Sequence, residues 1–133
     1  MIHPSDSWPE WDAPPPTILV VDDEPVIRAL IAMLLQDEGY TVRQAGDGLA
    51  AWEVLEQGGI DLVLSDVMMP QLDGPSLARW LHASGSAVPI LLMSAVYAEV
   101  DLPGIRFLRK PIDLECLFDI IASVLHQQSD HVA

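Results

Sequence analysis

Asp22, Asp23, Asp66, Ser94 and Lys110 each follow a short apolar run, and as a set they could handle a divalent cation and a phosphoryl group. Three carboxylates brought together in a low-dielectric site repel one another, and at least one would hold its proton more tightly. A hard dication removes that conflict. Mg2+ takes oxygen ligands in an octahedron, usually one or two carboxylates, with waters and a substrate phosphate completing the shell. Mn2+ accepts the same donors. A backbone carbonyl just after Asp66 could join them. A carboxylate beside a metal can also act as a nucleophile and form an aspartyl phosphate. Phosphoryl transfer then needs alignment and neutralisation of the equatorial oxygens. The metal can cover one oxygen, the Lys110 ammonium a second, and the Ser94 hydroxyl with a nearby N–H the third.

Taken singly, these residues are ordinary. An Asp pair after a strand is often a turn or a helix cap, Asp66 could cap the next segment, and Lys110 could be a surface lysine. Their common position at the ends of successive apolar runs favours joint function. Thr17–Val21 reads as a buried strand ending at Asp22-Asp23. Pro25–Glu38 reads as a helix, with proline in its first turn, Gly39 as its stop, and an apolar stripe of Ile27, Leu30, Ile31, Leu34 and Leu35. Thr41–Ala45 is a second strand. Gly48–Gln57 is a second helix burying Ala51, Trp52 and Leu55. Leu62–Ser65 is a third strand ending at Asp66. Asp73 is expected to cap a helix through Ala83. Pro89–Met93 is a fourth strand ending at Ser94, and Arg106–Arg109 a fifth ending at Lys110-Pro111. Asp113 is expected to cap a last helix with the stripe Leu114, Leu117, Phe118, Ile121, Val124 and Leu125. Near-continuous apolar strands separated by helices imply a parallel sheet covered on both faces, with function gathered at the carboxyl ends of its strands.

The 133 residues suit one domain, and 50% of them are hydrophobic. Net charge is −14, from 20 acidic and 6 basic side chains. Such a balance argues against nucleic acid and against anionic membrane surfaces. Cys116 is the single cysteine, so no internal disulfide can form, as suits a reducing compartment. No basic and apolar leader opens the chain, and no apolar run nears the ~20 residues of a membrane helix. The expected location is the cytoplasm. Residues 1–16 stand apart as an arm with Pro4, Pro9, Pro14, Pro15, Pro16, Trp8 and Trp11, which is either a loose tail or a docking segment. Residues 17–127 form the domain and 128–133 a short tail.

The stretches Ile18-Leu19-Val20-Val21-Asp22-Asp23-Glu24-Pro25, Asp61-Leu62-Val63-Leu64-Ser65-Asp66-Val67-Met68-Met69-Pro70, Leu72-Asp73-Gly74, Met93-Ser94-Ala95 and Lys110-Pro111 resemble the receiver domain of two-component response regulators. The resemblance runs from about Thr17 to about Gln127. It implies an α/β, flavodoxin-like three-layer sandwich whose five parallel strands take the order 2-1-3-4-5, an order for which a chemotaxis receiver is itself a standard example. It implies that Asp66 is the phosphoacceptor. Asp23, Asp66 and the Met68 carbonyl would ligate Mg2+ (or Mn2+), with Asp22 acting mostly through water. Ser94 and Lys110 would bind phosphoryl oxygens, and the Lys110–Pro111 bond would be cis. Ser94 and Phe107 would be the switch pair. The donor would be a sensor histidine kinase or a histidine phosphotransfer protein, and the output an unidentified downstream protein, with a homodimer also open.

This sequence departs from the family pattern in three places. Only 15 residues separate Ser94 from Lys110, which leaves room for a shortened fourth helix of about one or two turns. The output face next to it is therefore expected to be remodelled around Tyr97–Ile105, or moved to the first and last helices. Phe107 lacks the hydroxyl that a tyrosine would bring. Met68 and Val96, which flank the phosphoryl site, are apolar and cannot orient an attacking water, so a long-lived phosphoryl group is expected.

Other residues carry less. His3, His82, His126 and His131 lack ligand or phosphodonor spacing. Cys116 is expected to pack as a small residue, and Trp80 to be partly exposed, either half-packed or facing a partner. Competing readings are a phosphorylation-independent pseudo-receiver and an aspartate-nucleophile phosphatase. Met68 stands where such phosphatases place an acid. A flavodoxin-like cofactor binder is disfavoured because Asp22-Asp23-Glu24 would repel phosphate.

Overall fold

The computed structural model describes residues 14–69, 71–95 and 105–130, with backbone alone over 127–130. In chain order the elements are β1 (Thr17–Val21), α1 (Pro25–Asp37), β2 (Thr41–Ala45), α2 (Gly48–Glu56), β3 (Leu62–Asp66), α3 (Gly74–Ala83), β4 (Ile90–Ser94), β5 (Ile105–Arg109) and α4 (Leu114–Asp130). The Trp-bearing arm before residue 14 and the shortened helix expected between β4 and β5 lie outside the described residues.

The five strands pair in parallel in the order β2-β1-β3-β4-β5, as expected. The three central strands are aliphatic because both their faces are covered. Ile18, Val20, Leu62, Leu64, Leu91 and Met93 face one core with Leu35, Leu117 and Ile121. Leu19, Val21, Val63, Ile90 and Leu92 face the other with Ala51, Leu77 and Leu81. Alternation along each strand sends successive side chains to opposite layers. Each fully buried aliphatic side chain contributes roughly 1.5–3 kcal/mol. β2, at one edge, keeps Arg43 and Gln44 exposed, which blunts the edge against further pairing.

Asp73 and Asp113 cap their helices as the sequence signals, and Asp47 caps a third. Asp47 accepts a hydrogen bond from the Ala50 N–H at 2.8 Å, and Asp73 accepts one from the Ser76 N–H at 2.8 Å. Asp113 accepts from the Glu115 and Cys116 N–H groups at 3.0 and 3.3 Å. Each cap satisfies donors that the first turn leaves without partners. Strand and helix ends differ from expectation by a residue. Pro89 stays outside β4 because it has no N–H to give the ladder, although its carbonyl accepts from the Val63 N–H at 3.0 Å.

Three expectations about side chains are corrected. Ile27 and Leu30 of α1 are exposed, because the helix rests on the sheet through Ile31, Ala32 and Leu35 and its seam is narrower than the stripe. Leu114 is exposed at the first turn of α4. Cys116 is exposed as well. One position before Leu117, it is turned about 100° off the seam of Leu117, Ile121, Val124 and Leu125. Trp80 is partly exposed, as expected, and meets Trp52 edge-on with ring centroids 5.4 Å apart.

Candidate functional site

Strand register explains why residues far apart in sequence meet. Val21 pairs with Ser65, so Asp22 and Asp66 leave adjacent strands at the same level. Asp66 pairs with Met93, and Ser94 pairs with Arg109, which sets Ser94 and Lys110 one step further along. The ladder continues past the strand ends. The Asp22 N–H donates to the Ala45 carbonyl at 3.2 Å, the Val67 N–H to the Met93 carbonyl at 2.9 Å, and the Lys110 N–H to the Ser94 carbonyl at 2.9 Å. The site residues are therefore held by main chain. They also sit where the chain order reverses between β1 and β3, the crevice that open α/β sheets use for ligands.

Asp22, Asp23 and Asp66 each offer a carboxylate oxygen, and these lie within 4.8 Å of one another. Asp22 is 1% exposed; its Oδ1 accepts from the Glu24 N–H at 2.9 Å and its Oδ2 has no partner among the described residues. Burial is the main influence pushing the Asp22 carboxyl above the usual carboxylate range. Asp66 and Asp23 add to it, while the Glu24 N–H and Lys110 oppose it. A buried carboxylate with a free oxygen beside two others is the pattern that a dication relieves. The donors are all hard oxygen, which suits Mg2+ or Mn2+ rather than a thiol-seeking metal. Their number and oxygen chemistry fit the few carboxylates that such an ion takes. Asp23 is the exposed member of the three.

Lys110 Nζ lies 3.4 Å from Asp66 Oδ2. The Lys110–Pro111 peptide is cis. Ser94 is buried at the end of β4, and Ala95 after it is exposed. The Met68 side chain points outward and is 74% exposed. Phe107 does not join the polar group. It is half-buried on β5, opposite Leu92 and against the core of α2 and α3. Among the described residues the structure thus gathers Asp22, Asp23, Asp66 and Lys110, places Ser94 on the neighbouring strand end, and leaves Phe107 in the layer below.

Two residues to which sequence reasoning assigned no role also shape the site. Gly74 accepts no side chain, since a Cβ there would stand 2.5 Å from the Asp66 carbonyl oxygen and 2.8 Å from Leu92 Cδ2. Its N–H donates to the Val67 carbonyl at 3.0 Å, which draws the start of α3 onto the end of β3. Arg28 reaches back from α1 and donates from Nη1 to the Asp22 carbonyl at 2.7 Å. Its only signal in the sequence is that it is the sole basic residue of α1, six positions after Asp22.

A parallel three-layer sandwich with an acid cluster and a lysine at its strand ends defines the class as a receiver-type α/β domain. The match to the response regulator receiver domain over residues 18–122 makes the family definite, and this chain belongs to it. It is 37% identical over 121 residues to a sensor kinase CckA from Brucella abortus (strain 2308), covering 84% of this chain and 13% of that protein. It is 36% identical over 121 residues to a response regulator MprA from Mycobacterium sp. (strain KMS), covering 86% of this chain and 53% of the relative. The crystal structure of a signal receiver domain of an HD domain-containing protein from Pseudomonas fluorescens Pf-5 superposes with a TM-score of 0.81 at 29% identity, covering 87% of this chain and 98% of that one. The chain therefore spans about half of the curated regulator and a small part of the kinase. Among the described residues no helix is long and apolar enough to cross a membrane.

Proposed function

We propose that this receiver domain accepts a phosphoryl group on Asp66 from a phosphohistidine and thereby switches the binding of a downstream protein. The observation that carries the reading is the grouping of Asp66 with Asp22 and Asp23 on one side and the Lys110 ammonium at 3.4 Å on the other. An Asp66 carboxylate oxygen attacks phosphorus, the nitrogen–phosphorus bond of the donor breaks, and the released imidazole takes a proton from water. The product is an acyl phosphate. Mg2+ or Mn2+ held by Asp22, Asp23 and Asp66, with the Met68 carbonyl as a further ligand, would neutralise phosphoryl charge. Lys110 holds a second oxygen and the Ser94 hydroxyl a third. Each of these side chains sits on a strand end fixed by main-chain hydrogen bonds, so little reorganisation is needed at the moment of transfer.

The donor is a sensor histidine kinase or a histidine phosphotransfer protein, approaching beside α1. That helix begins two residues after Asp23 and presents Val26, Leu30 and Met33 to solvent at 78%, 46% and 51% exposure. Their spacing makes one apolar strip on a helix face. After transfer the phosphoryl group, carrying roughly −1.5 to −2 in place of the carboxylate's single charge, is drawn to Lys110 and Ser94, and Phe107 on β5 relays the change by packing. On this reading the domain acts in the cytoplasm as a regulator or relay intermediate.

Incubation with acetyl phosphate and Mg2+, followed by intact mass, tests the chemistry. The native chain gains ~80 Da and Asp66→Asn does not. A gain of the same size in both chains, or in neither, overturns the assignment of Asp66.

A further inference from the structure

Arg28 occupies an unusual place for one of only six basic side chains in a chain of net charge −14. Its guanidinium donates from Nη1 to the Asp22 main-chain carbonyl at 2.7 Å and from Nε to Gln44 Oε1 on β2 at 3.4 Å. It passes over Gly46, where a Cβ would stand 3.2 Å from Nη1. The main chain of Asp22 is thereby held on both sides. Its N–H continues the ladder to Ala45 at 3.2 Å, and its carbonyl, past the end of β1, is taken by Arg28. The side chain is held by the Glu24 N–H through Oδ1, which leaves Oδ2 as the free oxygen.

We propose that Arg28 is a positioning residue for the carboxylate pocket, holding the Asp22 main chain so that its carboxylate stays within reach of Asp23 and Asp66. The proposal rests on reading those three residues as a cation pocket. Arg28 acts through the backbone rather than through its charge. Its hydrogen bond goes to the Asp22 main-chain carbonyl at 2.7 Å and not to the carboxylate. The two roles have opposite signs. A cation near a Mg2+ site repels the ion, so its removal tightens binding if charge is all that matters. A residue that orients a ligand weakens binding when lost, commonly by 10–100-fold.

Calorimetric Mg2+ titration of the purified chain separates them, using the native protein, Arg28→Met, Arg28→Lys and a control, Arg43→Met. Arg43 lies on β2 and donates to Gln57 Oε1 at 3.1 Å, away from the acids. Arg28→Met is expected to lose roughly 10-fold in Mg2+ affinity, Arg28→Lys to recover part of it, and Arg43→Met to match the native chain. Thermal unfolding in EDTA shows how much of each variant is folded. Should Arg28→Met prove too unstable, Arg28→Lys alone decides, with a few-fold loss expected. Mg2+ affinity that is unchanged or tighter in a folded Arg28 variant overturns the positioning role. Failure of the native chain to bind Mg2+ overturns the pocket reading itself, whatever the variants do.

Discussion

Lys110 Nζ stands 3.4 Å from Asp66 Oδ2, with the ammonium on β5's end and the carboxylate on β3's end, separated by β4. The pair bridges two strands that are not neighbours, above the end of the one between them. Both partners keep some access to water, so the attraction is partly screened and stabilises the fold by less than about 1 kcal/mol. Its larger effect is to keep a cation beside an Asp66 carboxylate oxygen at the mouth of the acid cluster.

Replacing Lys110 with Met should therefore leave the melting temperature nearly unchanged. The rate of labelling by acetyl phosphate should fall roughly 100-fold, the size typical for loss of one preorganised donor at a developing charge. Time-resolved intact mass at fixed Mg2+ measures it. A rate within about threefold of native would remove Lys110 from the transfer step.

Asp22→Asn should stabilise the metal-free chain by about 1 kcal/mol, because it removes a buried charge with an unpartnered oxygen and relieves repulsion from Asp23 and Asp66. For a domain of this size that corresponds to a rise of several degrees in melting temperature in EDTA. The same substitution should weaken Mg2+ binding, so added Mg2+ should shift its melting point less than it shifts the native one. A lower melting temperature in EDTA would contradict this account of Asp22.

Gly74→Ala should destabilise the fold by roughly 1–3 kcal/mol, since the new methyl must push apart the Asp66 carbonyl and the Leu92 side chain. Because the displaced atom belongs to Asp66, phosphorylation should slow even at temperatures where the variant is folded. Chemical denaturation and labelling rates, measured on the same preparation, check both effects.

Burial holds the Tyr40 hydroxyl above the ordinary phenolic range, with the nearby Glu38 charge adding to it. The folded chain thus keeps its proton to higher pH than the unfolded chain, whose tyrosine titrates near 10.0. The stability this group contributes is complete below that pH and is lost as pH rises toward the higher folded value. Tyr40→Phe should blunt this alkaline loss, so the stability difference between variant and native should move in the variant's favour above pH ~10. Urea titrations at pH 8 and above 10 measure it, and a difference that does not change with pH would exclude Tyr40.

Much of this fold was legible from local chemistry. The aliphatic runs at Ile18–Val21, Leu62–Leu64 and Ile90–Met93 read as strands buried on both faces, and Asp73 and Asp113 announce two of the helix starts. Pattern was less informative on the helix surfaces. An apolar residue on α1 or α4 reads the same whether it faces the sheet or solvent, and so Ile27, Leu30, Leu114 and Cys116 lie at the surface where their pattern points to the interior.

The acids, hydroxyl and lysine at the strand ends are identifiable by type and spacing, because apolar strands and polar ends are written locally in the chain. What the sequence alone determined was which residues are present at those ends and which chemistry they permit. Only the tertiary structure decided the register that brings Asp22 level with Asp66, the unpartnered oxygen of Asp22, the Gly74 approach to the Asp66 carbonyl, and the return of Arg28 onto the Asp22 main chain. These depend on contacts between segments distant in sequence, which no local period or propensity encodes.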